Sequence, residues 1–211
     1  MKPFRILARA LVLAALVPVL AWSQALTSIT SLYVAYNTRK VTAQPTGELK
    51  ARLDSLDVDL RAASRVGRSG EVRRLLAKGN ALLAGREWTD VADFAASLLL
   101  RTDRVVVESG KPYAMRLEQL YSPSIELPRS LTAQASLRTR PTGVGAAMQP
   151  GQVVKELGKF GGVSRDLRES PLLMEFDLRD VADGRYVVSV DVRDDSRDDA
   201  RTLGTASLAV V

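Results

Sequence analysis

Residues 171–193 read PLLMEFDLRDVADGRYVVSVDVR, with apolar and polar side chains alternating on both sides of an Asp-Gly turn. A period of two is the period of a β-strand that buries one of its faces. The residues on the expected buried face are Leu172, Met174, Phe176, Leu178, Tyr186, Val188 and Val190. The stretch therefore predicts two antiparallel strands in the core of a small β-sandwich.

The N-terminal half of the chain has a helical period instead. Apolar residues at steps of three and four predict helices over about 26–40, 46–63, 69–83 and 89–102. Thr46, Ser69 and Thr89 are predicted to cap the last three, because a hydroxyl can accept a hydrogen bond from the first helical turn. The last two helices form either a helical hairpin of the tetratricopeptide kind or part of a plain helical bundle. We favour the bundle, because repeat stacks need about three units and we find one.

From residue 104 onward the period changes to two. The alternation predicts strands near 105–107, 113–118, 131–138 and 205–210, in addition to the two described above. Residues 141–170 are rich in glycine and are predicted to be a long loop, in which 152–157 forms a short helix or strand. The expected fold class is α+β. A helical segment of about four helices at 26–103 precedes an immunoglobulin-like antiparallel β-sandwich at 104–211.

The stretch 180–186, DVADGRY, followed by alternating valines, resembles the corner before a central strand of immunoglobulin-like and fibronectin-like sandwiches. In those folds a tyrosine after such a turn donates a hydrogen bond back to the backbone. The resemblance implies this role for Tyr186. The cysteine and tryptophan pins of antibody domains are missing, which implies a bacterial variant of the sandwich. The whole arrangement also resembles the non-catalytic N-terminal region of some secreted bacterial α/β-hydrolases of the peptidase and esterase kind.

The first 25 residues have the three-part layout of a secretory signal peptide. A basic start at 2–9 precedes an apolar run at 10–21, and small residues follow at 23 and 25. The run of roughly 12 residues is short against the ~20 that a bilayer needs, which favours a cleaved signal over an uncleaved anchor. We expect a periplasmic or secreted protein that meets a membrane only through its signal peptide during export.

The net charge of the mature chain is modest. The full sequence has 30 basic and 24 acidic residues and a charge of +6. Loss of Lys2, Arg5 and Arg9 with the signal peptide leaves 27 basic residues against 24 acidic ones, a charge of +3. Acids and bases are interleaved, and no basic stripe with aromatic residues is present. We therefore expect no nucleic-acid binding.

The residue types exclude several kinds of chemistry. The sequence has no histidine and no cysteine, which rules out Ser-His-Asp and Cys-His catalysis, zinc held by thiolate or imidazole, and haem held by histidine. It has no Gly-x-Ser-x-Gly nucleophile motif. The glycines at 143–145 and 158–162 lack the spacing of dinucleotide-binding and phosphate-binding loops, and both are predicted to be flexible loop.

Paired carboxylates can hydrolyse a glycosidic bond without histidine. Glu118 with Glu126, or Asp90 with Asp93, are the pairs that can be nominated, although no spacing selects them from the 24 acids. The acidic stretch 191–201 offers oxygen ligands for calcium, but it lacks the order and the closing glutamate of an EF-hand. We predict a solvated hairpin tip there, with local Arg-Asp pairs that contribute little stability.

The sequence thus predicts no enzyme, no catalytic residue, no cofactor-binding residue and no metal ligand. The expected function is a non-catalytic exported accessory or protein-interaction module, whose partner is a protein or a neighbouring domain. The alternative is the N-terminal non-catalytic part of a secreted α/β-hydrolase, or a fragment of one. A carbohydrate-active or calcium-dependent protein is a third hypothesis.

Overall fold

A computed structural model describes residues 29–102, 104, 106, 112–128, 130–142, 151–196 and 201–211. The helices in these residues are α1 (Ile29–Ala43), α2 (Gly47–Arg65), α3 (Ser69–Leu83) and α4 (Asp90–Ser97). The strands are β1 (Leu98–Thr102), β2 (Tyr113–Gln119), β3 (Leu131–Thr139), β4 (Val153–Phe160), β5 (Leu172–Phe176), β6 (Tyr186–Asp194) and β7 (Arg201–Val210). The chain is α+β, as predicted. Within the described residues no helix is both long and apolar enough to cross a membrane.

Helices α1, α2 and α3 pack as a bundle around a core of their own. The stripe predicted for α2 faces inward, because residues at steps of three and four share one side of a helix. The buried residues of this core are Tyr36, Leu53, Leu56, Leu60, Ala63, Val72, Leu75, Leu76 and Leu82. α4 does not pair with α3 as the second half of a hairpin core, because its buried Phe94 belongs to the core of the sandwich.

The close contact between α1 and α3 depends on a glycine. A Cβ atom at Gly79 would lie 2.5 Å from Cε2 of Tyr36, and the Tyr36 ring is fully buried. The Tyr36 hydroxyl donates to Oδ1 of Asp57 at 2.9 Å, which limits how far the ring can shift. Gly79 is an unfavourable residue for a helix, but here it makes room for the ring.

Two of the three predicted caps occupy the expected position. The Thr89 hydroxyl accepts from the backbone N–H of Ala92 at 3.2 Å and caps α4. Thr46 occupies the N-cap position of α2 without a side-chain hydrogen bond. The prediction for Ser69 is wrong, because Arg68 holds the N-cap position of α3 and Ser69 is already helical.

The strands form two antiparallel sheets, in the orders β1-β2-β5 and β4-β3-β6-β7. Relative to the constant-type immunoglobulin arrangement, the fourth strand has changed sheet, because β4 pairs with β3 and not with β5. The inward alternation predicted from the sequence is confirmed: Val188, Val190 and Val192 of β6 are fully buried. Phe160 and Phe176 meet edge to face across the two sheets, with ring centroids 5.8 Å apart.

The corner between β5 and β6 has the tyrosine contact that the resemblance implied. The Tyr186 hydroxyl donates to the backbone carbonyl of Ala182 at 2.9 Å. A Cβ atom at Gly184 would lie 3.0 Å from Cε2 of the same ring, so the glycine leaves room for the tyrosine. The strands β5 and β6 do not pair with each other, however. β5 pairs with β2, and β6 pairs with β3 and β7, so the connection at 177–185 joins the two sheets.

The predicted boundary between helices and sandwich is too late in the chain. The fourth helix was expected to reach Thr102, but α4 ends at Ser97 and Leu98–Thr102 forms β1, which pairs with β2. The sandwich therefore begins before residue 104. Leu98, Leu99 and Leu100 are all buried, and a continuous apolar run does not distinguish a buried helix from a buried strand.

The glycine-rich segment 141–170 is also not a loop throughout. β4 lies inside it and pairs with β3, with register shifts along the pair. Residues 158–160 are therefore strand, not flexible loop, and Gly158 has a φ of +139°, which favours glycine in an irregular strand. Outside the described residues lie the predicted signal peptide, the glycines at 143–145, and residues 105 and 107 of the predicted strand at 105–107.

Candidate functional site

A buried ion pair joins the helical bundle to the sandwich. Arg74 of α3 donates to the carboxylate of Asp93 in α4, with Nε–Oδ1 and Nη2–Oδ2 distances of 2.9 and 2.7 Å. The Asp93 side chain is only 1% exposed. The backbone N–H of Ser124, in the segment after β2, also donates to Asp93 at 3.1 Å. The Arg74 Nη2 reaches the Ser124 hydroxyl at 2.6 Å. A single carboxylate therefore links α3, α4 and the sandwich.

A buried tyrosine strengthens the same junction. The Tyr121 hydroxyl donates to the backbone carbonyl of Asp93 at 3.1 Å. Burial raises the pKa of Tyr121 far above its ordinary value, and the negative charge of Asp93 adds to the rise. At the start of α3, a Cβ atom at Gly70 would lie 3.0 Å from the Leu120 carbonyl oxygen and 3.2 Å from the Tyr121 Cβ. This close packing and the ion pair hold the bundle against the sandwich in one orientation.

The nominated carboxylate pairs are engaged by arginines or are solvent-exposed. Asp93 is bound by Arg74, and its nominated partner Asp90 is exposed in the first turn of α4. Glu118 lies on β2 and accepts from Arg101 Nε at 2.8 Å. Glu126 is exposed in the segment after β2. Each buried or half-buried acid of these pairs thus serves an ion pair, the arrangement expected of structural carboxylates.

The described acids of the acidic stretch 191–201 have hydroxyl, backbone or lysine partners. Asp191 accepts from the Thr205 hydroxyl at 2.5 Å, and Asp194 accepts from the Ser196 backbone N–H at 2.9 Å. Asp195 pairs with Lys159, which lowers the pKa of that carboxyl. Among the residues for which coordinates are given, no group of three or more acids could hold a metal ion. Residues 197–200 lie outside that part of the chain.

The outer face of the β1-β2-β5 sheet presents two arginines and an exposed leucine in one row across the strands. Arg101 of β1 lies directly opposite Arg116 of β2, which lies directly opposite Leu173 of β5. The side chains of the two arginines are 44% and 48% exposed, and Leu173 is 69% exposed. We call Arg101, Arg116 and Leu173 the arginine row. The sequence does not predict this row, because the period of 98–102 favours a helix and the strand partners of β5 cannot be read from the sequence.

Glu118 is the carboxylate next to the arginine row. It lies 2.8 Å from Arg101 Nε and 3.7 Å from Arg116 Nε. Arg73 of α3 approaches the same end of the sheet: burial, and then the positive charge of Arg101, lower the pKa of its guanidinium. Glu175 lies one row away, opposite Ala114. The arginine row therefore lies between Glu118 and Glu175, and three guanidiniums face these two carboxylates.

Comparison with known proteins adds little to this description. No family model matches the chain, and no curated protein matches it. Among solved structures, a match is the crystal structure of the CARDB domain of the PF1109 protein from Pyrococcus furiosus, in complex with di-metal ions. The match covers 55% of this chain and 91% of that domain, at 15% identity and a TM-score of 0.26. At that score the likeness carries no argument.

The fold class of the chain therefore rests on its strand order and register alone. They define an α+β protein in which a helical bundle is fixed to an immunoglobulin-like sandwich. The link to secreted hydrolases that the second resemblance implied stays a prediction.

Proposed function

We propose that this chain is a non-catalytic exported module that binds a protein partner or positions a neighbouring domain. The observation that carries the proposal is the junction around Asp93. Burying a charge is costly unless it is paired and hydrogen-bonded, so such pairs contribute more to a defined geometry than to net stability. A bundle and a sandwich held in one orientation present a fixed composite surface, which is what a scaffold or interaction module needs.

The available chemistry supports the non-catalytic part of the proposal. The sequence has no histidine or cysteine to act as a general base or nucleophile near neutral pH. Of the nominated acids, Asp93 and Glu118 are held by Arg74 and Arg101, and Asp90 and Glu126 are exposed to solvent. A carboxylate whose oxygens already accept from a cationic side chain has fewer oxygens left to receive a proton from a substrate or a water molecule.

The layout of residues 1–25 supports export. The measurement that tests it is the N-terminal sequence of the protein recovered from the native cell envelope or medium. Cleavage after Ala25 predicts a mature chain that begins at Leu26. Recovery of the chain with Met1 still in place in the cytoplasmic fraction would refute the export part of the proposal.

Site-specific photo-crosslinking tests the interaction part. A photoreactive residue is placed in the full chain in its native cell, at one position on each surface: 52 on α2, 114 on β2, 156 on β4 and 207 on β7. We expect a discrete crosslinked protein from one surface and none from the others. A parallel Arg74→Met variant, which loosens the junction, should weaken that crosslink where the partner contacts both units.

Two outcomes overturn the proposed function. One is that no position crosslinks to another protein, because an interaction module must present a contacting surface. The other is turnover of ester, peptide or glycoside substrates by the purified mature chain, provided that it disappears when the nominated acids are replaced by their amides.

A further inference from the structure

We propose that the outer face of the β1-β2-β5 sheet binds an acidic segment of a partner protein, with Arg101 and Arg116 receiving carboxylates and Leu173 receiving an apolar side chain. This inference rests on the proposed function. The proposed ligand is a polypeptide with acidic residues on either side of an apolar residue.

The register brings the three side chains to one place. Residues directly opposite each other in an antiparallel sheet point to the same face, and neighbouring strands lie about 4.8 Å apart. Arg101, Arg116 and Leu173 stand opposite each other across all three strands. The arginine row therefore spans about 10 Å at the level of the backbone, a length that a few residues of a peptide can cover.

Among the described residues, the two arginines share a single carboxylate partner, Glu118, so their like charges are only partly compensated. Like charges that are directly opposite in a sheet destabilise it, and Arg101 faces Arg116 with Glu118 shared between them. Arg73 adds a third guanidinium to the local field, and its pKa is lowered in part by the charge of Arg101. A carboxylate from outside the chain would relieve this repulsion, so the face has charge complementarity to an acidic ligand.

The residues also indicate what kind of acidic ligand fits. A guanidinium presents a planar pair of donors that matches a carboxylate bidentately. Leu173 is 69% exposed at the end of the row, and an exposed leucine gains by contact with another apolar group. An acidic polysaccharide supplies charge without apolar side chains, whereas a peptide supplies both. The combination of two arginines and a leucine therefore favours a protein segment.

Fluorescence anisotropy with the mature chain tests the inference. The probe is a labelled synthetic peptide with glutamates on both sides of a central leucine, and its control has glutamine at every glutamate. We expect the acidic peptide to bind and the glutamine peptide not to bind. Affinity should fall by about tenfold or more in the Arg101→Gln/Arg116→Gln variant, since charge-assisted contacts are lost, and by several-fold in Leu173→Ser.

Matched controls separate this face from general electrostatics. Arg52 is exposed on α2 in the helical bundle. The Arg52→Gln substitution therefore removes one positive charge outside the proposed binding face. It should leave peptide affinity unchanged. The Arg116→Gln variant should unfold at the same denaturant concentration as the wild type or a higher one, because it removes a like-charge pair. Peptide affinity is measured for this single variant as well, where it should also fall, and that loss cannot be attributed to unfolding.

The inference is overturned if the acidic peptide does not bind, if Arg52→Gln weakens binding as much as the double arginine variant, or if a sulfated polysaccharide binds through the arginines and the peptide does not. A crosslink from position 52, 156 or 207 but none from 114, the exposed β2 position next to Arg116 on the same face, overturns this inference and leaves the proposed function standing. No crosslink from any position overturns both.

Discussion

Replacing Arg74 by Met tests the junction most directly. The substitution keeps most of the aliphatic stem of the arginine and removes its donors. In the native chain Arg74 Nε lies 2.9 and 3.1 Å from the two oxygens of Asp93, and Nη2 lies 2.7 Å from Oδ2. After the substitution the Ser124 backbone N–H is the remaining described donor to that carboxylate. Asp93 would then be a buried charge without a counter-charge.

The expected cost follows from the burial of each partner. Breaking a fully buried ion pair by removing one side costs about 3–5 kcal/mol. The Arg74 side chain is 28% exposed whereas Asp93 is 1% exposed, so water can partly reach the space that the guanidinium leaves. We therefore expect a loss of about 2–4 kcal/mol in the free energy of unfolding for Arg74→Met. Asp93→Asn keeps the shape of the side chain and replaces charge-assisted bonds by neutral ones, and it should cost about 1–3 kcal/mol.

Urea unfolding of the mature chain measures these losses. Trp88 lies two residues before α4 and is half-buried, so its fluorescence reports on the junction. Circular dichroism of the helices should give the same midpoint if the bundle and sandwich unfold together. The double variant should cost less than the sum of the two single variants, with a coupling energy of about 1–3 kcal/mol, because both remove the same contact.

The matched control uses the other acid near Arg74. Glu71 lies 3.8 Å from Arg74 Nη1 and its side chain is 40% exposed. Exposed ion pairs of this kind contribute roughly 0–1 kcal/mol, so Glu71→Gln should change stability little. If Arg74→Met costs no more than Glu71→Gln, the buried pair does not hold the junction and the reasoning is refuted.

Three further predictions concern the two cores and the pH dependence. Gly79→Ala should lower stability by about 1–3 kcal/mol, because its Cβ would meet the buried Tyr36 ring at 2.5 Å. The control Ser55→Ala, at an exposed position of α2, should raise the free energy of unfolding by a few tenths of a kcal/mol, which thermal unfolding can resolve. Tyr186→Phe should cost about 1 kcal/mol through the lost hydrogen bond to the corner backbone, again by urea midpoint. Burial raises the pKa of Tyr36 and Tyr121 above the ordinary 10.0. The two neutral phenols therefore contribute their full share to the stability of the fold below about pH 10, and this contribution is lost as the pH rises further. The urea midpoint should fall above about pH 10, and Tyr36→Phe should remove part of that fall; an identical fall in the variant would contradict this.

The sequence predicted features that depend on neighbouring residues. The stripe of α2, the inward valines of β6 and the cap at Thr89 each follow from spacings of two to four residues, and the structure confirms them. The contact of Tyr186 with the backbone four residues earlier is local in the same sense. Such features are set by backbone periodicity and by short-range hydrogen bonding.

Features that join distant residues were not predictable in this way. Arg74 and Asp93 are nineteen residues apart and meet only after α3 and α4 have packed. The arginine row needs the order of three strands, and its members lie in separate parts of the chain. One exposed arginine between two apolar residues looks like any polar strand position. Its partner across the sheet decides whether it lies beside an acid, which stabilises, or beside another base, which does not.

α4 explains why the chain does not divide at the predicted boundary. A helix of eight residues is too short to be stable alone, so α4 depends on what it touches. Its Phe94 is buried in the sandwich core, and a Cβ atom at Gly204 of β7 would lie 2.9 Å from the Ala95 Cα, so helix and strand are in close contact. One residue earlier, Asp93 is bound by α3. Neighbouring side chains of one short helix thus contact both units, and the chain continues from Ser97 of α4 directly into β1, the strand that carries Arg101.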